Sequence, residues 1–429
     1  MNETTIQALR TAAQCETIQL ENGMTVLVKP MEGYRDVHVI CGTRFGSADC
    51  KFEMNGVQHT LPAGVAHFLE HKMFESEEGD AFAQYAAVGA SANAYTSFDK
   101  TCYLFSTTCG VEKALDILLK LVSRGYFTKE TVEKEQGIIG QEIKMYDDSP
   151  EWRLTFSLLQ SMYHNHPVKE DIAGSVESIA QITPEMLYEC VKAFYSPANL
   201  VLAAAGNINK QQILDAIERA GLTQEKPDVK KLPIQEPSET VCKYREFEMS
   251  VSKPMLGVGY KEVPATAENQ LKTALICDML SELVCGAMTP FYRELYDSGL
   301  AGADFSGEFL CIDNALCLMF CGETDQPEKV RELLQQEIDR LRGKGVDKEL
   351  FMLCKNQMYG GLVCELDSTS GTASALCAGA LKGYTLYDEM SCLVNLTVQD
   401  INNALQTMLL EENSVSVVIR PESEAEQDD

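Results

Sequence analysis

Three residues in the segment GVAHFLEHKMFE carry the strongest chemical signal in the 429-residue chain: His67, Glu70 and His71. Their spacing is i, i+3 and i+4, so on a helix they share one face. Two imidazoles one turn apart can ligate a single Zn2+, and the carboxylate between them points at the open coordination position where water would sit. The chain holds only six histidines. Two at this separation, with Glu just before the second, is roughly a one-in-a-hundred coincidence on average residue usage. A solvated helix can also carry His and Glu, but Phe68, Leu69, Met73 and Phe74 make this one largely apolar and imply burial. Buried imidazoles and carboxylates need partners.

A second segment, VEKEQGIIGQEIKMYDDSP, places Glu135 and Glu142 seven residues apart. Two helical turns put both on one face, although each Glu alone reads as a solvated helix residue. His164 and His166 flank Asn165 and precede Pro167 in turn-like sequence with no further ligand motif, so they read as loop residues. The sixteen cysteines contain no CxxC pair and no regular spacing. Cys41, Cys102 and Cys317 sit inside apolar strand-like runs, where a reduced thiol packs as a small hydrophobe.

These side chains must be positioned by a mixed α and β chain. IQLENGMTVLVKP reads as two strands joined at Asn22-Gly23, a pair that tolerates the positive φ of a tight turn. The strand VHVICGTRFGS leads to a helix over about residues 62–75, then to a short helix and paired strands through NAYTSF and TCYLFSTT. Helical patterns follow from Val111 to about Tyr163; TPEMLYECVKAFY adds another, with Thr183 as N-cap and Pro184 at the first helical position. NLVLAAAG is a strand that closes the first half. Residues 223–240 are polar and carry three prolines, which places the domain linker there. Beyond it the element order repeats: PMLGVGYKE, a helix from about Glu268, FSGEFL, ALCLMFCG, several helices and SVSVVIRP. The expectation is a duplicated α+β unit, with residues 1–222 as a metal-bearing domain and 241–420 as a related domain without His. Residues 421–429 read as an acidic tail.

Composition excludes several classes. With 64 acidic against 36 basic residues, the net charge of -28 argues against a nucleic-acid partner. No run of apolar residues reaches the length of a membrane helix, and the N-terminus lacks a cationic start followed by an apolar block. A cytoplasmic, reducing location is expected.

The letter order HxxEH, rather than HExxH, marks the inverted form of the helical zinc device. On this motif the sequence resembles the pitrilysin and insulysin family of zinc peptidases, the inverzincins, and in particular its shorter bacterial cytoplasmic members related to the processing peptidases. The likeness continues through HNHPVKEDIAGSVESIAQITPEMLYECVKAFYSPANLVLAAAGNIN and covers nearly all of the first half. It implies one zinc per chain on His67, His71 and Glu142, which lies 71 residues past His71. Glu70 would be the general base, and Glu135 a supporting acid bonded to a ligating histidine. In GASANAYTSFDKTCYLFS, Asn93 and Ala94 fall on substrate-contacting positions of a strand whose edge takes an extended peptide.

The second half matches through PFYRELYDSGLAGADF, where Arg293 falls on an arginine that binds substrate or stabilises the oxyanion. The tyrosine expected seven residues later is Leu300, so that phenolic donor is missing; Tyr292 or Tyr296 could substitute, and a core or surface aromatic is the plainer reading of both. The resemblance implies an α+β fold of two homologous domains, antiparallel-rich sheets with packed helices, forming half of a clamshell chamber. The other half would come from a second subunit, as a homodimer or as a heterodimer with an inactive relative. The expected activity is endopeptidase cleavage of peptides or unfolded precursor polypeptides. The alternative is a non-catalytic family member that serves as partner subunit or peptide-holding scaffold.

Overall fold

A computed structural model describes residues 15–224 and 226–422. Most of the expected acidic tail therefore lies outside the described residues. The chain forms two compact units, and neither is contiguous. The first takes the described residues of Met1–Ile143 with Asp171–Pro233 and Gly361–Ser391; the second takes Lys144–Glu170, Ile234–Gly360 and the described residues of Cys392–Asp429.

The first unit is built on six strands: β1 (Glu16–Gln19), β2 (Thr25–Pro30), β3 (Val37–Thr43), β4 (Ala90–Thr96), β5 (Thr101–Thr107) and β6 (Leu200–Gly206). Their order is β1-β2-β6-β3-β5-β4. All neighbours are antiparallel except β2 and β6. The hairpin β1–β2 turns at Gly23 with φ 89°, and a Cβ there would lie 2.6 Å from that of Ala198; both conformation and space require glycine. Strands β3 and β6 are buried along their whole length, which suits the apolar run of β6; the polar side chains of β3 are bonded, His38 Nδ1 to Ser106 Oγ at 2.8 Å and Thr43 to the Phe194 carbonyl at 2.6 Å. The helix Thr369–Lys382 covers one face of this sheet. Ala373, Leu376, Cys377 and Leu381 pack there on Leu27, Ile40, Cys102, Val201, Ala203 and Ala205. Arg44 holds the helix end by donating to the Ala380 and Leu381 carbonyls at 2.9 and 2.8 Å.

The second unit repeats the topology with β7 (Tyr244–Met249), β8 (Met255–Lys261), β9 (Ser306–Ile312), β10 (Ala315–Glu323) and β11 (Ser414–Pro421). Their order is β7-β11-β8-β10-β9, again with one parallel pair, β7 and β11. Strand for strand this is β2-β6-β3-β5-β4, so the two units are versions of one α+β design. Here the sheet is covered by the helix Pro150–Met162. Each sheet is thus closed by a helix from the opposite half of the sequence.

The segment expected to be the linker is ordered by specific bonds. Val229–Lys231 pairs with the strand Lys51–Met54, which itself forms a hairpin with Val57–Thr60. Glu236 accepts from the consecutive backbone N–H groups of His164, Asn165 and His166 at 2.7–2.8 Å, and from Lys261 Nζ at 2.6 Å. His164 and His166 are loop residues, as expected; His166 is buried and its Nδ1 accepts from the Val168 N–H at 3.2 Å. Cys41, Cys102 and Cys317 are buried, and all sixteen cysteines are free thiols. No single helix among the described residues is long and apolar enough to cross a membrane.

Candidate metal centre

The helix carrying the His-Glu-His triplet, α1, spans Val65–Met73. It begins three residues later than the sequence suggests, because Gly64 holds φ 86° and starts the helix without a side-chain cap. A Cβ on Gly64 would lie 2.3 Å from the Ala173 carbonyl oxygen, so the glycine also admits the segment that crosses the helix start. Ser178 Oγ ties down that crossing by donating to the Ala63 carbonyl at 2.8 Å. Val65, Ala66, Phe68, Leu69 and Met73 are at most 2% exposed and fix the rotation of α1. His67, Glu70 and His71 are left on its other face.

A second helix, α2, spans Lys129–Asp147. Val132, Ile139 and Ile143 anchor it, and the seven-residue spacing brings Glu135 and Glu142 to the same side. Glu142 Oε1 lies 3.6 Å from His67 Nε2, and Glu142 Oε2 lies 3.5 Å from His71 Nε2. These separations are too long for good hydrogen bonds. They match atoms that share a tetrahedral ion: ligands about 2.1 Å from zinc lie about 3.4 Å from one another. One ligand atom from each of the three residues lies within 4.8 Å of the other two, the sole such group of three His, Cys, Asp or Glu residues found among the described residues.

The tautomer also suits a metal. His71 Nδ1 is 3.1 Å from Glu135 Oε1; because a carboxylate only accepts, the proton sits on Nδ1 and the Nε2 lone pair is left for a ligand. Burial works to lower the His71 pKa, but the Glu135 bond and the charges of Glu70, Glu142 and Glu135 outweigh it and hold the pKa above the ordinary value. For Glu135, burial is likewise outweighed by the His71 bond and by the His71, Lys72 and Lys134 charges, which hold its carboxyl below the ordinary range. The donor set, its spacing and its tautomer all fit zinc.

Glu70 sits beside this trio. Thr96, the last residue of β4, donates its hydroxyl to Glu70 Oε2 at 2.6 Å. Oε1 is left as the oxygen available to a reacting proton. Burial pushes the Glu70 carboxyl up, against the Thr96 bond and the two imidazoles, which pull it down. Neither Thr96 nor Lys72, which is wholly buried next to His71, stood out in the sequence. The signals were a hydroxyl three residues beyond Asn93 and a lysine directly after the second histidine, among Phe68, Leu69 and Met73.

Asn93 and Ala94 lie on β4, the last strand of the sheet among the described residues; Asn93 Oδ1 accepts from the Ala94 N–H at 2.9 Å. Arg293 belongs to the second unit, on the helix Pro290–Asp297, where its exposed side chain pairs with Asp297 at 3.1 Å. Leu300 is buried. Tyr292 and Tyr296 stack on each other with ring centroids 6.2 Å apart, and Tyr296 is 52% exposed.

Two α+β units of one topology, one of them bearing an inverted His-Glu-His helix completed by a glutamate from a second helix, define a duplicated fold with one candidate metal site among the described residues. Comparison with known proteins gives the class its name. Residues 59–176 match the family model for insulinase, peptidase family M16, and residues 181–358 match the model described as the peptidase M16 inactive domain. The chain is 35% identical over 412 residues to YmfH of Bacillus subtilis (strain 168), described as an uncharacterized zinc protease, covering 94% of this chain and 96% of that one. An M16-like peptidase from Alicyclobacillus acidocaldarius superposes with a TM-score of 0.92 at 35% identity, covering 95% of this chain and 98% of the other. The periplasmic protease PqqL from Escherichia coli shares the fold, with a TM-score of 0.73 at 18% identity over 94% of this chain and 47% of its own. The chain belongs to peptidase family M16, the pitrilysin family.

Proposed function

We propose that the protein is a zinc-dependent endopeptidase that hydrolyses peptides or unfolded precursor polypeptides. The observation that carries this reading is the convergence of His67 Nε2, His71 Nε2 and the Glu142 carboxylate at 3.5–3.6 Å, with the Glu70 carboxylate held beside them by Thr96. His67, His71 and Glu142 hold one Zn2+ per chain, which when bound supplies a Lewis acid that acidifies water and polarises a carbonyl. Glu70 takes the water's proton at Oε1 and passes it to the leaving amine nitrogen. Thr96 keeps Oε2 engaged and the carboxylate aimed. The edge of β4, with Asn93 and Ala94, offers main-chain hydrogen bonds to an extended peptide, which supports broad tolerance of substrate sequence. Arg293 supplies a cation to substrate in this reading.

Two copies of the chain, or one copy with an inactive relative, would complete a chamber of four α+β units; that the chain spans 47% of PqqL supports this count. Sixteen free thiols support a reducing, cytoplasmic setting. The match to an inactive-domain model falls on residues 181–358, outside the His-Glu-His helix, so it weighs little for a non-catalytic scaffold. The test is Glu70→Gln. It should retain one zinc per chain and lower cleavage of a peptide library by about 10³-fold or more; full activity would remove Glu70 from the mechanism. Wild-type protein that binds zinc yet cleaves nothing would favour the scaffold.

A further inference from the structure

Lys72 follows His71 directly and its side chain is 0% exposed. Phe68, Leu69 and Met73 on the same helix are buried apolar residues, and an ammonium taken out of water costs free energy that a methionine or leucine there would not. A buried ion pair is weak support for stability, so the choice of lysine calls for another reason. The contacts supply it. Lys72 Nζ meets Glu75 Oε2 and stands 3.9 Å from Glu135 Oε2. The other oxygen of Glu135 receives the His71 Nδ1 proton at 3.1 Å. Glu75 is braced in turn by Lys134 Nζ at 3.9 Å from Oε1. Lys72 thus bonds Glu75 directly and places its charge 3.9 Å from one oxygen of the carboxylate whose other oxygen sets the His71 ring.

We propose that Lys72 is a positioning residue for the metal centre, acting through Glu135 to fix the ring orientation and tautomer of His71. The chain runs from Glu75 to Lys72, Glu135, His71 Nδ1 and, across the ring, Nε2 facing Glu142. A lysine can do this and an apolar residue cannot, because the carboxylate must be held from the side away from the imidazole. The inference rests on the reading that His67, His71 and Glu142 hold zinc.

Zinc affinity measured by competition with a chromophoric chelator tests it without any substrate. Lys72→Met should bind zinc about 10–100-fold more weakly than wild type, the range for loss of a group that orients a ligand. Glu135→Gln should also weaken binding. If Lys72 works through Glu135, the double variant K72M/E135Q should be no weaker than E135Q alone. Unchanged or tighter binding by K72M would overturn the proposal, since tighter binding is what mere removal of a positive charge near the ion would give. Independent, additive losses in the double variant would overturn it as well. Should K72M not fold, Glu75→Gln decides instead: weaker zinc binding supports the relay and wild-type affinity rejects it. A wild-type chain that takes up no zinc in the same titration rejects the zinc reading itself. Wild type and K72M binding alike reject only the role of Lys72.

Discussion

The two units share a strand order and differ in what the equivalent helix carries. In the first, the helix between β3 and β4 presents His67, Glu70 and His71. In the second, the helix between β8 and β9, Gln270–Cys285, presents Asp278 and Glu282 and no histidine. Glu135 of the first unit and Asp278 of the second meet opposite surroundings. Glu135 has His71 and Lys72 beside it and is held below its ordinary range. Asp278 is pushed up to about 6 by burial and by the charge of Glu282, and burial raises Glu282 and Glu308 too. The balance is local: the His71 bond and the charges of His71, Lys72 and Lys134 outweigh burial at Glu135, whereas burial prevails at Asp278, Glu282 and Glu308, and at Glu70 in the first unit despite its two imidazoles.

The sharpest way to break this comparison is to remove one helix carboxylate from each unit. Glu142→Gln should lower zinc retention and peptide cleavage by about 10³-fold or more, since a metal centre contributes several kcal/mol to the reaction. Glu282→Gln should leave the zinc content at the wild-type value. Metal analysis of the two purified variants reads the difference, and loss of zinc from E282Q would show that the second unit holds metal as well.

The clustering of the candidate metal ligands was legible because helical spacing converts directly into proximity. His67, Glu70 and His71 needed only the geometry of one helix, and Glu135 and Glu142 that of another; their meeting required the family likeness. Turn chemistry was equally local, in Asn22-Gly23 and in the Thr183 cap, whose side chain accepts from the Met186 N–H at 3.4 Å. The exchange of covering helices was not legible. The apolar stripe of Pro150–Met162 says that one face is buried but names no sheet, and both sheets offer the same kind of surface. The order in residues 223–240 was hidden for a similar reason: Glu236 looks like any solvated acid until three backbone N–H groups and Lys261 close around it.

A second difference between the units is measurable as pH-dependent stability. Glu262, at the end of β8, is 5% exposed and pushed up to about 8 by burial, with the Leu409 N–H and the Arg342 charge pulling the other way. The folded carboxyl thus keeps its proton at pH values where the unfolded chain, with an ordinary value of 4.5, has lost it. The stability this contributes is fully present below pH 4.5 and is lost progressively as pH rises through about 8. Glu262→Gln, whose carbonyl can still accept from Leu409, should match wild type in acid and exceed it by on the order of 2–4 kcal/mol above the folded pKa. Urea unfolding at the two extremes of pH checks the sign; a variant equally stabilised at both, or destabilised in alkali, would show that Glu262 is ionised in the fold.

The smallest expected effect tests whether the helix exchange is equivalent in the two units. A Cβ on Gly42 of β3 would lie 2.7 Å from Leu381 Cδ1 and 3.1 Å from the sulfurs of Cys102 and Cys377. A Cβ on Gly257 of β8, the matching strand, would lie 2.8 Å from Leu158 Cδ1 and 3.1 Å from Leu154 Cδ1. In both places a glycine lets a helix from the other half of the sequence approach the sheet closely. The clashing atoms are mostly side-chain ends that can shift, and alanine also gains by restricting the unfolded chain by about 0.4–1 kcal/mol. Overpacking should still prevail, so Gly42→Ala and Gly257→Ala should each lose about 1–2 kcal/mol in urea unfolding. Trimming the opposing residue, Leu381→Val or Leu158→Val, should make each alanine cheaper than it is in the wild-type background. If one alanine destabilises and the other does not, the two sheets share a topology without sharing the closeness of their covering helices.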